Sequence, residues 1–116
     1  MSPSGAAGQQ RFWRLAQPLL IRPGVTSSTM MGLPCLRHNG HFFAACDRRT
    51  GNLLAKLPEA RVTELLEAGH AGPFAPAGRR FRQWAAIPVS VARIWEAALD
   101  EALAFAAGHP PTPTRP

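Results

Sequence analysis

Apolar side chains recur along this chain with two different periods, and each change of period marks an element. From Gln9 to about Ile21 they fall at Phe12, Trp13, Ala16, Leu19 and Leu20. Spacings of three and four residues predict one buried face of a helix. Pro18 lies inside that stripe. It removes a backbone donor and crowds the preceding turn, so the helix is expected to kink or end early. Arg22-Pro23-Gly24 closes the segment. Val25 to Met30, rich in hydroxyl and β-branched residues, reads as a short strand. Met31-Gly32-Leu33-Pro34 reads as a corner.

The strongest local signal is Asn39-Gly40, set between Cys35-Leu36-Arg37-His38 and His41-Phe42-Phe43-Ala44-Ala45-Cys46. A two-residue hairpin turn of type I′ needs positive φ at both central positions, which Asn and Gly tolerate. An unbroken register then pairs His38 with His41, Arg37 with Phe42, Leu36 with Phe43 and Cys35 with Ala44. It places Cys35, Arg37, Phe42, Ala44 and Cys46 on one face. Asp47 to Asn52 forms a second turn, and Leu53 to Leu57 a third strand of the meander.

Pro58 then opens a helix, where its missing N–H costs nothing. Val62, Leu65 and Leu66 form the apolar face of this helix. Glu59, Glu64 and Glu67 face water, and Gly69 is a C-terminal cap. Residues 71–78 read as a Gly/Pro/Ala loop. Phe81 to Val89 reads as a further strand, with Phe81, Ala85 and Ile87 on one side and Trp84 and Ala86 on the other. Ser90 is expected to cap a last helix. The stripe of that helix is Val91, Ile94, Trp95, Ala98, Leu99, Ala102, Phe105 and Ala106, and it ends at Gly108.

The order is helix, strands, helix, strand, helix, with short strand-to-strand links. It predicts a two-layer α+β domain: an antiparallel sheet of about four to five strands, a β-meander, with helices packed on one face. Residues 9–107 form this single domain. Residues 1–8 are read as a flexible N-terminus and residues 108–116, with four prolines, as a disordered tail.

Composition narrows the function. Apolar residues make up 46% of the 116 positions, enough for one core. No run approaches the roughly 20 apolar residues of a bilayer span, so no membrane association is expected. The first residues, MSPSGAAGQQRFW, lack the apolar core of a secretory signal. With two thiols read as diagonal neighbours, too far apart for an easy disulfide, the setting expected is the reducing cytoplasm.

The net charge is +6. Residues 1–56 hold seven basic side chains and one acid, and residues 57–116 hold six of each. The excess lies in the first half and in the run Arg79-Arg80-Phe81-Arg82. An arginine-rich face beside aromatic side chains suits nucleic acid or another polyanion, because guanidinium groups grip phosphates and rings stack on bases. The candidate contacts are Arg37, Arg48, Arg49, Arg79, Arg80, Arg82 and Trp84. A second reading is a homodimer or protein-interaction module. A sheet covered on one side only leaves a face on which Phe42, Ala44 and Ala86 would form an apolar patch.

No catalytic constellation is legible, and no enzyme activity is expected. His38 and His41 face one another across the hairpin but form only half a zinc site, with no further His or Cys placed near. The glycines between Gly69 and Gly78 match neither phosphate-loop pattern. Neither a metal nor a cofactor is expected.

Several short blocks also resemble a known family. They are Thr29-Met30-Met31-Gly32-Leu33-Pro34, Leu36 with Phe43-Ala44, Leu54-Ala55-Lys56-Leu57-Pro58 with Arg61-Val62, Gly72-Pro73-Phe74, and Arg82-Gln83-Trp84 with Ile87-Pro88. In order and spacing, over residues 12–107, the chain resembles the TfoX N-terminal-like domain, which is similar to the MmcQ/YjbR proteins. The resemblance implies a small bacterial α+β domain with helices over one antiparallel sheet. Members are commonly labelled DNA-binding or competence regulators, a label drawn from longer proteins with a second, C-terminal domain. Met31 stands where the family tends to have Phe, and Gln83 where an acid often precedes the Trp. The family offers no catalytic residues to carry over.

Overall fold

The computed structural model describes residues 3–30, 32–75 and 78–108. Helix α1 (Pro3–Leu20) leads into strands β1 (Val25–Met30), β2 (Leu33–His38), β3 (His41–Cys46) and β4 (Leu53–Lys56). Helix α2 (Glu59–Glu67), strands β5 (Gly72–Phe74) and β6 (Phe81–Ile87), a 3₁₀ segment (Val89–Ile94) and helix α3 (Trp95–Ala107) follow. All strand pairs are antiparallel, in the order β1-β2-β3-β4-β6-β5. The α+β class and the antiparallel sheet follow the sequence pattern, with six strands in place of four to five. The additional strand is β5. Its three residues include Gly72 and Pro73, which read as loop. A proline is tolerated there because β5 is an edge strand and needs no ladder donor on its outer side.

The helices share one face of the sheet. Phe12, Ala16 and Leu19 of α1, Val62 and Leu65 of α2, and Trp95, Ala98, Leu99, Ala102, Leu103 and Ala106 of α3 pack on Leu36, Phe43, Ala44, Cys46, Leu53, Ala55, Ala85 and Ile87. A second cluster contains strand residues alone. Cys35, Ala45, Leu54 and Trp84 are buried, with Leu33, Phe42, Phe74, Phe81 and Ala86 packed around them. That cluster is the opposite face of the sheet, which no helix among the described residues covers.

Two irregularities decide which residues reach that face. The hairpin turn forms as its sequence demands, with Asn39 at φ 49° and Gly40 at φ 89°. Beyond Arg37–Phe42, however, the register slips. Leu36 pairs with Ala44 and Cys35 with Ala45, so Phe43 is an extra residue on β3. A bulge turns the side chains beyond it to the other side. Ala44 and Cys46 therefore face the helices instead of sharing a side with Cys35 and Phe42. On β6 a larger irregularity has the same effect: Pro73 pairs with Ala85 but Phe74 with Phe81, so three residues of β6 are extra there. Phe81 consequently joins Trp84 and Ala86 instead of Ala85 and Ile87.

The helix ends also differ from their sequence reading. α1 begins at Pro3, within the residues read as flexible, and continues through Pro18 to Leu20. Gly5 and Gly8 are buried against the β3–β4 turn, and a Cβ on Gly8 would overlap the Gly51 carbonyl. Close docking by glycine leaves no apolar stripe to read. α2 ends as expected: Gly69, at φ 76°, donates to the Leu66 carbonyl while His70 donates to that of Leu65. This is the paired bonding of a glycine-terminated helix. Ser90 does not cap α3. A 3₁₀ segment follows Pro88, and Ser90 lies inside it without a capping hydrogen bond. Of the expected proline-rich tail, residues 109–116 lie outside the described residues.

Candidate nucleic-acid interface

The uncovered sheet face is built row by row from the strand register. Thr26, Arg37 and Phe42 lie opposite one another across β1, β2 and β3. Ser28, Cys35, Ala45, Leu54, Ala86 and Gly72 form the next row across all six strands. Lys56 lies opposite Trp84, and Phe74 opposite Phe81. The small residues of the central row leave room for the rings around them, so Phe42, Phe74 and Phe81 stay half-buried while Trp84 is 9% exposed. The Phe74 ring centroid lies 5.8 Å from that of Phe81 and 6.1 Å from that of Trp84.

Cations sit on and around these rings. The Arg37 guanidinium lies 5.2 Å from the Phe42 centroid and that of Arg79 lies 5.3 Å from the Phe81 centroid. Such contacts hold a cation by the negative face of the ring. Arg37 Nε is shielded from water and has no hydrogen-bond acceptor. Lys56, Arg79, Arg80, Phe81 and Trp84 border a shallow recess of about 530 Å³ that Arg82 and Gln83 complete. A second recess, about 450 Å³, is floored by Leu33, Leu54, Phe74 and Ala86 and bordered by Asp47 and Arg49 of the β3–β4 turn.

The six strands contain no Asp or Glu. Six of the seven acids lie in α2 and α3, on the other layer. The seventh, Asp47, stands at the far end of the face, where its Oδ1 accepts from the backbone N–H of Arg49 at 2.8 Å and of Thr50 at 3.3 Å. The sheet face is thus cationic and the helix layer carries the negative charge.

The residues singled out from sequence do not all converge. Arg37, Arg79, Arg80 and Trp84 gather at the sheet end that carries the Asn39-Gly40 turn. Arg48 and Arg49 belong to the β3–β4 turn at the far end, because β3 runs from His41 away to Cys46. Arg82 leans to the helix side, 3.7 Å from Glu59. Lys56, Phe74 and Phe81 were not singled out and belong to the face. Lys56 is visible only once β4 is known to pair with β6, and Phe81 only once the bulge is known.

The other candidate groups behave differently. Cys35 lies on the uncovered face and Cys46 on the helix face, so the two thiols are on opposite sides of the sheet. Burial pushes the Cys46 thiol up to about 12, with the Asp47 carboxylate adding to the shift. Burial also raises the Cys35 thiol, against an opposing pull from Arg37. Neither is an activated nucleophile. His38 and His41 do pair across the turn. Among the described residues no three His, Cys, Asp or Glu side chains gather as metal ligands. Among those residues, too, no helix is long and apolar enough to cross a membrane. Comparison with protein families, curated proteins and solved structures finds no match to this chain.

Proposed function

We propose that this chain is a small binding domain of the TfoX N-terminal-like kind, acting in the cytoplasm without catalysis, and that its uncovered sheet face takes nucleic acid. The observation that carries the reading is the combination on one face of aromatic rings with Arg37, Lys56 and Arg79, from strands that hold no acid, Asp47 bordering the face only at its far end. Polyphosphate supplies the missing negative charge, and bases supply flat apolar surface for the rings.

A second copy of the chain is the competing occupant, favoured by the apolar cluster that no helix covers. Charge weighs against it. A two-fold interface sets a patch against itself. Here that would crowd Arg37 and Lys56 of both copies into one desolvated seam, with Asp47 at the far end of the face as the one nearby carboxylate.

The test is the affinity of a fluorescently labelled oligonucleotide, read by anisotropy between 50 and 200 mM salt. Four cations, Arg37, Lys56, Arg79 and Arg80, give a log–log slope of about −3, from roughly 0.7 to 0.9 counterions released per phosphate neutralised. Arg37→Glu weakens binding and flattens the slope, while Arg93→Glu on the helix layer leaves both unchanged. Binding that ignores salt, or no binding at 50 mM, overturns the proposal. A concentration-dependent dimer with no oligonucleotide binding would assign the face to a second copy.

A further inference from the structure

Resting on that assignment of the sheet face, we infer that its substrate is single-stranded nucleic acid whose bases lie flat on the sheet, and not duplex. The face is a platform and not a probe. Reading a duplex through its major groove takes a helix or a two-stranded ribbon that enters the groove. All three helices here pack on the opposite side of the sheet. What the face offers instead is half-buried rings set among the strands, Phe42 on β3, Phe81 on β6 and Phe74 on β5, packed around the buried Trp84. Bases meet such rings only when they are unpaired and turned out of a stack.

The two guanidinium–ring pairs sharpen the assignment. Arg37 on Phe42 and Arg79 on Phe81 are the same device built twice, at 5.2 and 5.3 Å. In each, a planar cation is steadied by a ring. A base stacks on the guanidinium plane or the exposed ring edge, and the outward N–H groups meet the phosphate beside it. The pairs stand on β2–β3 and β6, two to three strand spacings apart, or about 10–14 Å. With Phe74 on the edge strand, the face accommodates about four nucleotides, the low end of the site sizes known for sheet-based single-strand binders. The cation count agrees. Four charges suit a short single strand, whereas duplex binders neutralise about six to ten phosphates. The rings and guanidinium planes accept any base and do not address the sugar, so ribose and deoxyribose strands are both taken.

The experiment compares a single-stranded DNA, an RNA of the same sequence and the corresponding DNA duplex, each titrated into the full chain at one fixed salt concentration. Phe42→Leu and Phe81→Leu are measured beside the unaltered chain. Leucine keeps the apolar volume and removes the π-face, and thermal melting verifies that each variant folds. Single strands are expected to bind at least tenfold more tightly than the duplex. Each leucine variant should lose about fivefold or more for single strands, the low end of the loss when a stacked base goes. Binding of both the DNA and the RNA strand in this way supports the inference, and binding of one alone overturns the indifference to the sugar. Equal or tighter duplex binding, or single-strand binding indifferent to both variants, overturns it while leaving a nucleic-acid face standing. No binding of any of the three removes the proposed function itself.

Discussion

The Cys46 thiol is fully buried on the helix side of the sheet, 3.8 Å from the Asp47 carbonyl and 4.0 Å from that of Gly51, to which it can donate only while protonated. Its pKa of about 12, against an ordinary value of 9.0, links it to stability. The folded-state value is raised, so the contribution is complete below pH 9 and is lost as pH rises toward 12: the unfolded chain gives up the proton while the folded chain holds it. The chain has no tyrosine, and Lys56 is its one lysine, so few other side chains titrate in that window. Urea midpoints should fall between pH 9 and 11, and Cys46→Ala should shrink the fall. A flat midpoint would contradict the burial. Arg61 offers a second test at this scale. Its Nε lies 2.9 Å from Glu101 Oε1 and its Nη2 3.3 Å from Oε2, a two-point link from α2 to α3, with Glu64 a further 3.0 Å partner. Both side chains of the link are about 40% exposed, which screens it. A double-mutant cycle between Arg61→Ala and Glu101→Ala should give a coupling of about 0.5–1 kcal/mol. Zero coupling would mean the two helices are not tied there.

Elements were legible where local chemistry dictates them and obscure where tertiary contact does. Asn39-Gly40 announces its turn because few other dipeptides take two positive φ values. The α2 stripe and Gly69 mark that helix equally well. The bulge at Phe43 is invisible because Phe43 and Ala44 are both apolar, and only the helix layer pulls both to one side. For that reason the sequence pattern put Ala44 in the open patch, whereas the structure buries it under α3 and brings Phe81 to the face. The start of α1 is hidden for the opposite reason, since glycines give no stripe. Its docking is testable. Gly8→Ala sets a methyl group against the Gly51 carbonyl and should cost about 2 kcal/mol of unfolding free energy by urea titration. Gly32, at φ 79° with no neighbouring atom within 4 Å of a Cβ, is a contrast in which only backbone strain is felt. An unchanged Gly8→Ala protein would mean that the first turns of α1 do not rest on the β3–β4 turn.

For the whole molecule, two layers carry opposite chemistry. The helix layer holds six of the seven acids, and the sheet holds none. This partition was half visible in the sequence. The cluster Arg79, Arg80 and Arg82 stood out, but nothing local says that Arg37 and Lys56 rise from the same face, that Arg82 leans toward Glu59, or that Arg48 and Arg49 sit at the far end. Those facts belong to the strand order. The three tryptophans report on the layers separately: Trp84 on the uncovered face, Trp95 sealed in the core between helices and sheet, and Trp13 on α1. Their indole N–H signals in a proton–nitrogen correlation spectrum, followed while a short single-stranded oligonucleotide is added, test the central claim directly. Movement of the Trp84 signal, with those of Trp13 and Trp95 in place, is the result expected. Movement of Trp13 while Trp84 stays fixed would contradict it.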